Sequence, residues 1–163
     1  MKTYKAPWGR ALVLSTVLAS LFCAGLTFAI PYLPQHDTAS VVVRYVRWLP
    51  AALVPFCSLF MVMGYVVTDD EVRVKRLLWS NRIPRKSLTS ARAEPGALSR
   101  SVRICGNGGF FSFSGFFRSE KLGSFRAYVT DLNRTVVLRT EKRTYVLSPD
   151  EPERFVRDLE ISS

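Results

Sequence analysis

The chain has 163 residues, of which 48% are hydrophobic, and its formal net charge is +10. That apolar fraction excludes a disordered chain, which carries too little hydrophobic surface to fold. Three cysteines and one histidine exclude a disulfide-stapled scaffold and leave few side chains for a metal centre.

Two long uncharged runs occupy the N-terminal part of the chain. Residues 11–33 and residues 48–67 contain no charged side chain over 23 and 20 residues. A bilayer-spanning helix needs about 20 apolar residues, and Pro50 and Pro55 are better tolerated in lipid than in water. Residues 1–67 are therefore predicted to form a hairpin of two transmembrane helices. Aromatic side chains that favour the headgroup layer lie near the ends of the runs: Trp8, Tyr32, Trp48 and Tyr65.

A cleaved signal peptide is the main alternative for the first run. Thr27-Phe28-Ala29 loosely resembles a small-x-small cleavage site. The run is longer than the apolar region of about 7–15 residues that is typical of signal peptides, so two uncleaved helices are favoured.

The placement of lysine and arginine predicts the orientation of the hairpin. Lys2, Lys5 and Arg10 precede the first run, and six more basic residues follow the second. The connecting loop, residues 34–47, holds two arginines. Because cytoplasmic flanks carry the excess of basic residues, both termini are predicted to be cytoplasmic and the loop external.

Residues 68–163 are predicted to form one cytoplasmic domain of mostly short strands. The domain carries 18 basic and 12 acidic residues. Val72 and Val74 alternate with Arg73 and Lys75, the period of a half-buried strand. Further β-type runs, separated by hairpin-length turns, lie at residues 125–129, 135–139 and 144–147.

A single helix is predicted at the C-terminus. Ser148 fits the N-cap, Pro149 the first helical position, and Glu151 completes a capping box. Three apolar side chains then share one helical face: Phe155, Val156 and Leu159. Repeated strands closed by this helix predict an α+β domain, a β-barrel or curved antiparallel sheet capped at one end.

Several short motifs follow one another in a distinctive order through residues 65–161. They are Val-Arg-Val at 72–74, Arg-Ile-Pro at 82–84, the Gly/Phe-rich stretch 104–117, and the closing segments 125–131 and 145–155. This order resembles the bacterial pleckstrin-homology (PH-like) domain family, in its membrane-anchored form with an N-terminal transmembrane hairpin. The resemblance implies a curved seven-stranded sheet capped by a helix, in a bacterial inner membrane, and it implies no reaction.

The Gly-rich stretch at residues 106–109 does not predict a nucleotide site. A phosphate-binding loop would end in Gly-Lys-Ser/Thr, whereas Phe110 and Phe111 follow here, so a turn between strands is favoured. The only histidine, His36, lies in the predicted external loop and cannot join a cytoplasmic catalytic pair. The chain is therefore predicted to be no enzyme and to need no cofactor or metal.

A basic segment after the second run is the first candidate site. Residues 72–93 contain no acidic side chain, and the candidate lipid-facing set is Arg73, Lys75, Arg76, Arg82, Arg85 and Lys86. An anionic membrane surface attracts each such charge by about 1 kcal/mol. The same charges would also enforce topology and solubility without contacting lipid. Nucleic acid binding is disfavoured because aromatic residues do not interleave with the charges.

Five phenylalanines within eight residues are the second candidate site: Phe110, Phe111, Phe113, Phe116 and Phe117. They either contact the membrane interface, a partner or a second copy, or they fill the domain core. The core is favoured, because a domain this small needs much of its apolar surface inside.

These features together predict a non-enzymatic module that binds or scaffolds at the cytoplasmic membrane surface. Its candidate partners are membrane lipids with anionic headgroups, a membrane protein and a second copy of the chain. The alternative is a subunit or regulator of a larger membrane complex, in which small residues of the first run pack on partner helices.

A reporter fused after Ser163 should be cytoplasmic, and one inserted near Gln35 and His36 should be external. Nine basic residues flank the runs on one side against two in the loop. Phosphatase and fluorescent-protein fusions at both positions measure this, and an external C-terminal reporter would contradict the orientation.

Overall fold

The computed structural model describes residues 1–32 and 44–160 of the chain. Most of the predicted external loop, including His36, lies outside the described residues. The helices are α1 (Arg10–Ala29), α2 (Leu49–Ser58) and α3 (Pro152–Glu160), with 3-10 turns at Ile30–Tyr32 and Arg85–Ser87. The strands are β1 (Lys2–Lys5), β2 (Val62–Val67), β3 (Glu71–Arg76), β4 (Ser80–Pro84), β5 (Leu88–Ala93), β6 (Val102–Gly108), β7 (Phe113–Ser119), β8 (Gly123–Val129), β9 (Val136–Thr140) and β10 (Thr144–Leu147).

The strands form two sheets. The first has the order β1-β2-β3-β4, and the second has the order β5-β9-β10-β8-β7-β6, in which β8 and β10 run parallel. The α+β class is confirmed, but the predicted barrel is wrong, since the sheets do not close on each other. Ten described strands also replace the seven-stranded sheet that the resemblance implied. The chain leaves the first sheet at Pro84, which has no N–H to extend the ladder, and turns through Arg85–Ser87 into the second.

Helix α1 is long and apolar enough to cross a membrane. Its 20 residues span about 30 Å at 1.5 Å per residue, the thickness of a hydrocarbon core. Only 17% of its most apolar stretch is buried. Large apolar side chains are exposed along it, among them Leu14, Leu18, Leu21 and Phe22.

The predicted second transmembrane helix over residues 48–67 is wrong. Helix α2 has 10 residues, about 15 Å, and the chain then enters strand β2. Among the described residues, α1 is the one helix that meets the length and composition of a membrane span. The apolar run of β2 belongs to a strand that is covered on both faces, with Tyr65 and Val66 almost fully buried in the domain. Tyr65 therefore does not lie at a membrane interface.

The N-terminal residues form a strand that the sequence did not predict. Strand β1 pairs antiparallel with β2, so the chain before α1 and the chain after α2 lie side by side in one sheet. The Lys2 ammonium lies 2.7 Å from a carboxylate oxygen of Asp158 on α3, and the buried Tyr4 hydroxyl donates to the other oxygen. Strand β1 is thus held by a backbone ladder on one side and by α3 on another.

The main core lies between the first sheet, α3 and part of the second sheet. Phe155 is fully buried, and its ring meets Tyr4 edge-on at 5.0 Å and Tyr65 at 6.2 Å between centroids. Leu159 is buried on the same face of α3, while Val156 packs at the margin of this core. The predicted apolar face of the C-terminal helix is confirmed.

A buried polar cluster joins the two sheets. The Tyr65 hydroxyl donates to the Tyr128 carbonyl at 2.6 Å and accepts from the Ser148 N–H at 3.1 Å. The Ser148 hydroxyl in turn accepts from the Thr130 N–H at 2.8 Å. Burial raises the pKa of Tyr65 to about 12. Because its hydroxyl is used here, Ser148 is not the predicted N-cap, and α3 begins later, at Pro152.

Replacing Phe155 by Ala should destabilise the domain by about 3–5 kcal/mol, because a fully buried ring that contacts two others leaves a large cavity. Urea unfolding of the full chain in neutral detergent, followed by circular dichroism, measures the loss. The control is Arg157→Ala, an exposed position on the same helix, and equal stability of both variants would contradict the packing.

Asp158→Ala should reduce the free energy of unfolding by about 1–3 kcal/mol at neutral pH, because the buried Tyr4 hydroxyl loses its acceptor. Hydrogen bonds from Lys2 and Tyr4 hold the pKa of Asp158 below its usual value. A lowered pKa stabilises the fold above the unfolded value of about 3.9, and this stabilisation is lost as the pH falls through the folded pKa. The difference between native chain and variant should therefore shrink on acidification.

The matched control for this pH dependence is Glu120→Ala, which removes an exposed carboxylate from a turn of the second sheet. A stability difference for Asp158→Ala that stayed constant down to pH 2 would show that the contact with Lys2 and Tyr4 does not depend on the carboxylate charge.

Candidate functional site

The junction between the helices and the domain is formed by the loop that connects β6 and β7, residues 109–112. The Gly109 carbonyl accepts hydrogen bonds from the Ser15 hydroxyl at 2.6 Å and the Thr16 hydroxyl at 3.3 Å, both on α1. The Phe111 N–H donates back to the Thr16 hydroxyl at 3.1 Å. The Ser112 hydroxyl donates to the Phe60 carbonyl at 3.2 Å, just after α2. One loop therefore holds both helices.

The start of α1 is fastened to the domain at a second place. The Gly9 N–H donates to the Thr130 carbonyl at 2.9 Å. A Cβ atom at Gly9 would lie 2.8 Å from a carboxylate oxygen and 3.0 Å from the Cα atom of Asp131, so this close approach leaves little room for a side chain. Helix α1 thus leaves the domain without a flexible linker.

The five phenylalanines of the aromatic candidate set do not act as one surface. The Phe110 and Phe111 rings lie 4.8 Å apart at the junction, where Phe111 meets Trp8 at 6.2 Å. Phe117 is buried and stacks on Phe125 at 6.0 Å, and Phe113 packs on the same interior cluster. Phe116 remains 43% exposed. The structure divides the set between the core, the helix junction and the surface.

Three members of the basic candidate set share the outer face of the first sheet. Arg73 lies directly opposite Arg82 across the β3–β4 ladder, and Lys75 follows Arg73 on the same face. The carboxylate of Glu71 pairs with Arg73 and lies 4.0 Å from Arg82. Lys75 is exposed. This face remains positive after that partial compensation.

The other members of the basic set point elsewhere. Arg76 donates to the Phe60 carbonyl at 2.9 Å and to the Asn81 side chain at 3.0 Å, towards α2. Arg85 donates to the carbonyls of Thr68, at 3.1 Å, and of Leu159, which ties the turn after β4 to α3. Lys86 is exposed in that turn. The six residues therefore do not form one continuous patch.

Two arginines outside the predicted set, Arg103 and Arg126, join Arg76 around a cavity of about 470 Å³. Arg103 lies on β6 and Arg126 on β8, far along the chain from Arg76. The alternation in β8 predicts that the Arg126 side chain lies on the face opposite to Phe125 and Ala127. Nothing in the sequence predicts that Arg126 lies near Arg76 of β3. The folded chain brings Arg76 and Arg126 together, since both guanidinium groups lie against the Tyr128 ring.

The described residues show no group of side chains arranged to hold a metal ion. In residues 1–32 and 44–160, no three His, Cys, Asp or Glu side chains come together as a metal site requires. Gly109, with a φ of +116°, serves the turn between β6 and β7, and its carbonyl holds α1.

A family model described as a bacterial PH domain matches residues 63–162. The match covers more than half of the chain, which therefore belongs to the bacterial PH domain family, and the predicted family is confirmed. PH domains are generally non-catalytic binding modules. Comparisons with curated proteins and with solved structures find no match. The match begins within β2, so β1, α1 and α2 lie outside it.

Proposed function

We propose that the chain is a membrane-anchored PH-like module that binds or scaffolds at the cytoplasmic surface of a bacterial cell membrane, with α1 as its anchor. The pairing of β1 with β2 carries the proposal. Because the two strands share one sheet, the chain before and after the helices would lie on the same side of a bilayer. If α1 crosses the membrane, the chain must return to that side before Val62.

The contacts of β1 support an uncleaved N-terminus. A signal cleavage near Ala29 would remove β1 together with α1. Strand β2 would then present an open edge, and Phe155 would lose the Tyr4 ring that lies 5.0 Å away. For the same reason a fragment that begins at residue 68 would lack two strands of the first sheet, and experiments require the full chain.

The β3–β4 hairpin indicates which end of the domain faces the bilayer. Its tip carries three exposed apolar side chains, Leu77, Leu78 and Trp79, with Leu78 71% exposed. The Trp79 ring lies 5.2 Å from Phe60 at the end of α2. The tip therefore lies at the end of the domain from which the helices emerge, where apolar and aromatic side chains favour the membrane interface.

The positive outer face of the first sheet supports an anionic surface as the binding partner. Lys75 pairs with Gly64 near the start of β2 and is the member of that face closest to the helices. Each charge within about 8 Å of an anionic surface contributes about 1 kcal/mol at physiological salt. The face adds weak attraction to a domain that α1 already holds at the membrane.

Trp79 should lie at acyl-chain or headgroup depth when the full chain is reconstituted in phosphatidylglycerol/phosphatidylcholine vesicles. In a Trp8→Phe, Trp48→Phe chain, brominated lipids should quench Trp79 fluorescence, because the hairpin tip lies beside α2. Alkaline carbonate should leave the protein in the membrane pellet.

The matched control carries Trp79→Phe and Glu141→Trp in the same background. The Glu141 N–H donates to the Ser87 carbonyl at 3.1 Å. Ser87 follows the end of β4 that pairs with Glu71, which is the end of the hairpin away from its tip. Glu141 therefore lies far from the tip. Its tryptophan should not be quenched. Release by carbonate would refute the anchor, and equal quenching at both positions would refute the orientation of the domain.

A role as a subunit or regulator of a larger membrane complex is the second candidate function. It is favoured by the outward position of small residues late in α1: Ala24 is exposed and the space beside Gly25 is open to 4 Å. Small residues allow close approach of another helix. Co-purification of a stoichiometric membrane protein in mild detergent would support this role.

A further inference from the structure

The cavity of about 470 Å³ opens between α2 and the β6–β7 pair. Its volume lies within the range of about 300–1,000 Å³ that is common for small-ligand sites. Phe56 and Phe60, from α2 and its C-terminal end, form one wall, and Phe116 with the backbone at Gly106 and Gly115 forms another. The cavity is therefore apolar along the helix.

All charged side chains that line the cavity are arginines: Arg76, Arg103 and Arg126. Within the described parts of the chain, none of the three forms an ion pair with a carboxylate. The Nε atom of Arg126 is buried and finds no hydrogen-bond partner there. A buried donor without a partner destabilises the fold, and an anionic acceptor would satisfy it.

Aromatic contacts hold two of these guanidinium groups in the cavity wall. Arg76 and Arg126 lie 5.1 and 5.3 Å from the centroid of the same buried ring, Tyr128. Burial, and secondarily repulsion from Arg126, lowers the pKa of Arg76. The two cations are thus close enough to destabilise each other, and an anion between them would relieve this repulsion.

The guanidinium group of Arg103 lies beside the backbone of Gly108. A Cβ atom at Gly108 would lie 2.2 Å from a guanidinium nitrogen of Arg103, so the absence of a side chain leaves room for this group. Arg103 itself is exposed on β6. It can therefore contact a ligand at the cavity mouth while Arg76 and Arg126 contact it from inside.

We infer that this three-arginine cavity binds the phosphate group of an anionic phospholipid, with the lipid's acyl chains lying along α2. This assignment rests on the proposed membrane location. Arginine forks suit phosphate oxygens, and free phosphate would offer the same group. The lipid is favoured because Phe56 is 58% exposed beside the cavity and Phe60 also contacts the apolar β3–β4 tip.

The full chain in neutral detergent tests the site at 0.5 M NaCl, where surface attraction is screened to within a few ångströms. Thermal unfolding is measured with dioleoylphosphatidylglycerol, with dioleoylphosphatidylcholine and with inorganic phosphate at equal concentrations. Phosphatidylglycerol should raise the midpoint and the other two should not. Arg103→Gln and Arg126→Gln should each weaken phosphatidylglycerol binding about tenfold or more, the value of one charge-assisted hydrogen bond.

Arg139→Gln, an exposed arginine on β9 away from the cavity, is the matched control and should bind as the native chain does. The Arg103 side chain makes no hydrogen bond within the described residues. The Arg103→Gln chain should therefore unfold at the native midpoint in the absence of lipid, so that weaker lipid binding by this variant reports the site and not the fold. If inorganic phosphate raises the unfolding midpoint as much as phosphatidylglycerol does, the ligand is not a lipid. If phosphatidylcholine raises it equally, the arginines do not select an anionic headgroup. If both variants bind phosphatidylglycerol as the native chain does, the cavity is not the binding site.

Failure of this assignment is distinguishable from failure of the membrane proposal. A chain that resists carbonate and shows Trp79 quenching, yet binds phosphatidylglycerol equally with and without Arg103 and Arg126, remains a membrane module without this lipid site. A chain released by carbonate loses both.

Discussion

The antiparallel ladder between β1 and β2 is the constraint on which the rest of the chain depends. It brings together two segments separated by nearly sixty residues that include both N-terminal helices. With the ladder in place, α1 must leave the sheet and the chain must come back to it. The hydrogen bond from Gly9, the contact of Gly109 with α1 and the contact of Trp79 with Phe60 lie at the two ends of this excursion.

The strands with one buried face could be predicted from the sequence. Valines at 72 and 74 alternate with charged residues, and β3 follows that period. The C-terminal helix was also predictable, because Phe155 and Leu159 recur at helical spacing and both are buried. Its start was misplaced, since a serine that satisfies an N-cap pattern is used instead for a tertiary contact with Thr130.

The failed predictions have three separate physical causes. Residues 62–67 are apolar on both faces because the strand is covered on both, and hydropathy alone does not distinguish such a strand from the end of a membrane helix. Strand β1 has the opposite problem, since a short segment with two lysines carries no apolar period. The alternation along β3 predicts that Arg76 lies on the face opposite to Arg73 and Lys75. Its proximity to Arg103 and Arg126 depends on tertiary packing, which the sequence pattern does not reveal.

If α1 is a membrane anchor, as proposed above, the same ladder couples its insertion to folding of the domain. Strand β1 leaves the ribosome first and has no partner until β2 has been made, after the helices. In that arrangement, a chain that crossed the bilayer at α1 and did not return would leave β1 across the bilayer from β2. The first sheet would then expose the hydrogen-bonding edge of β2, which is a template for aggregation and a target for proteolysis. In the proposed arrangement, the first sheet can be completed only when both ends of the helical segment lie on one side of the membrane.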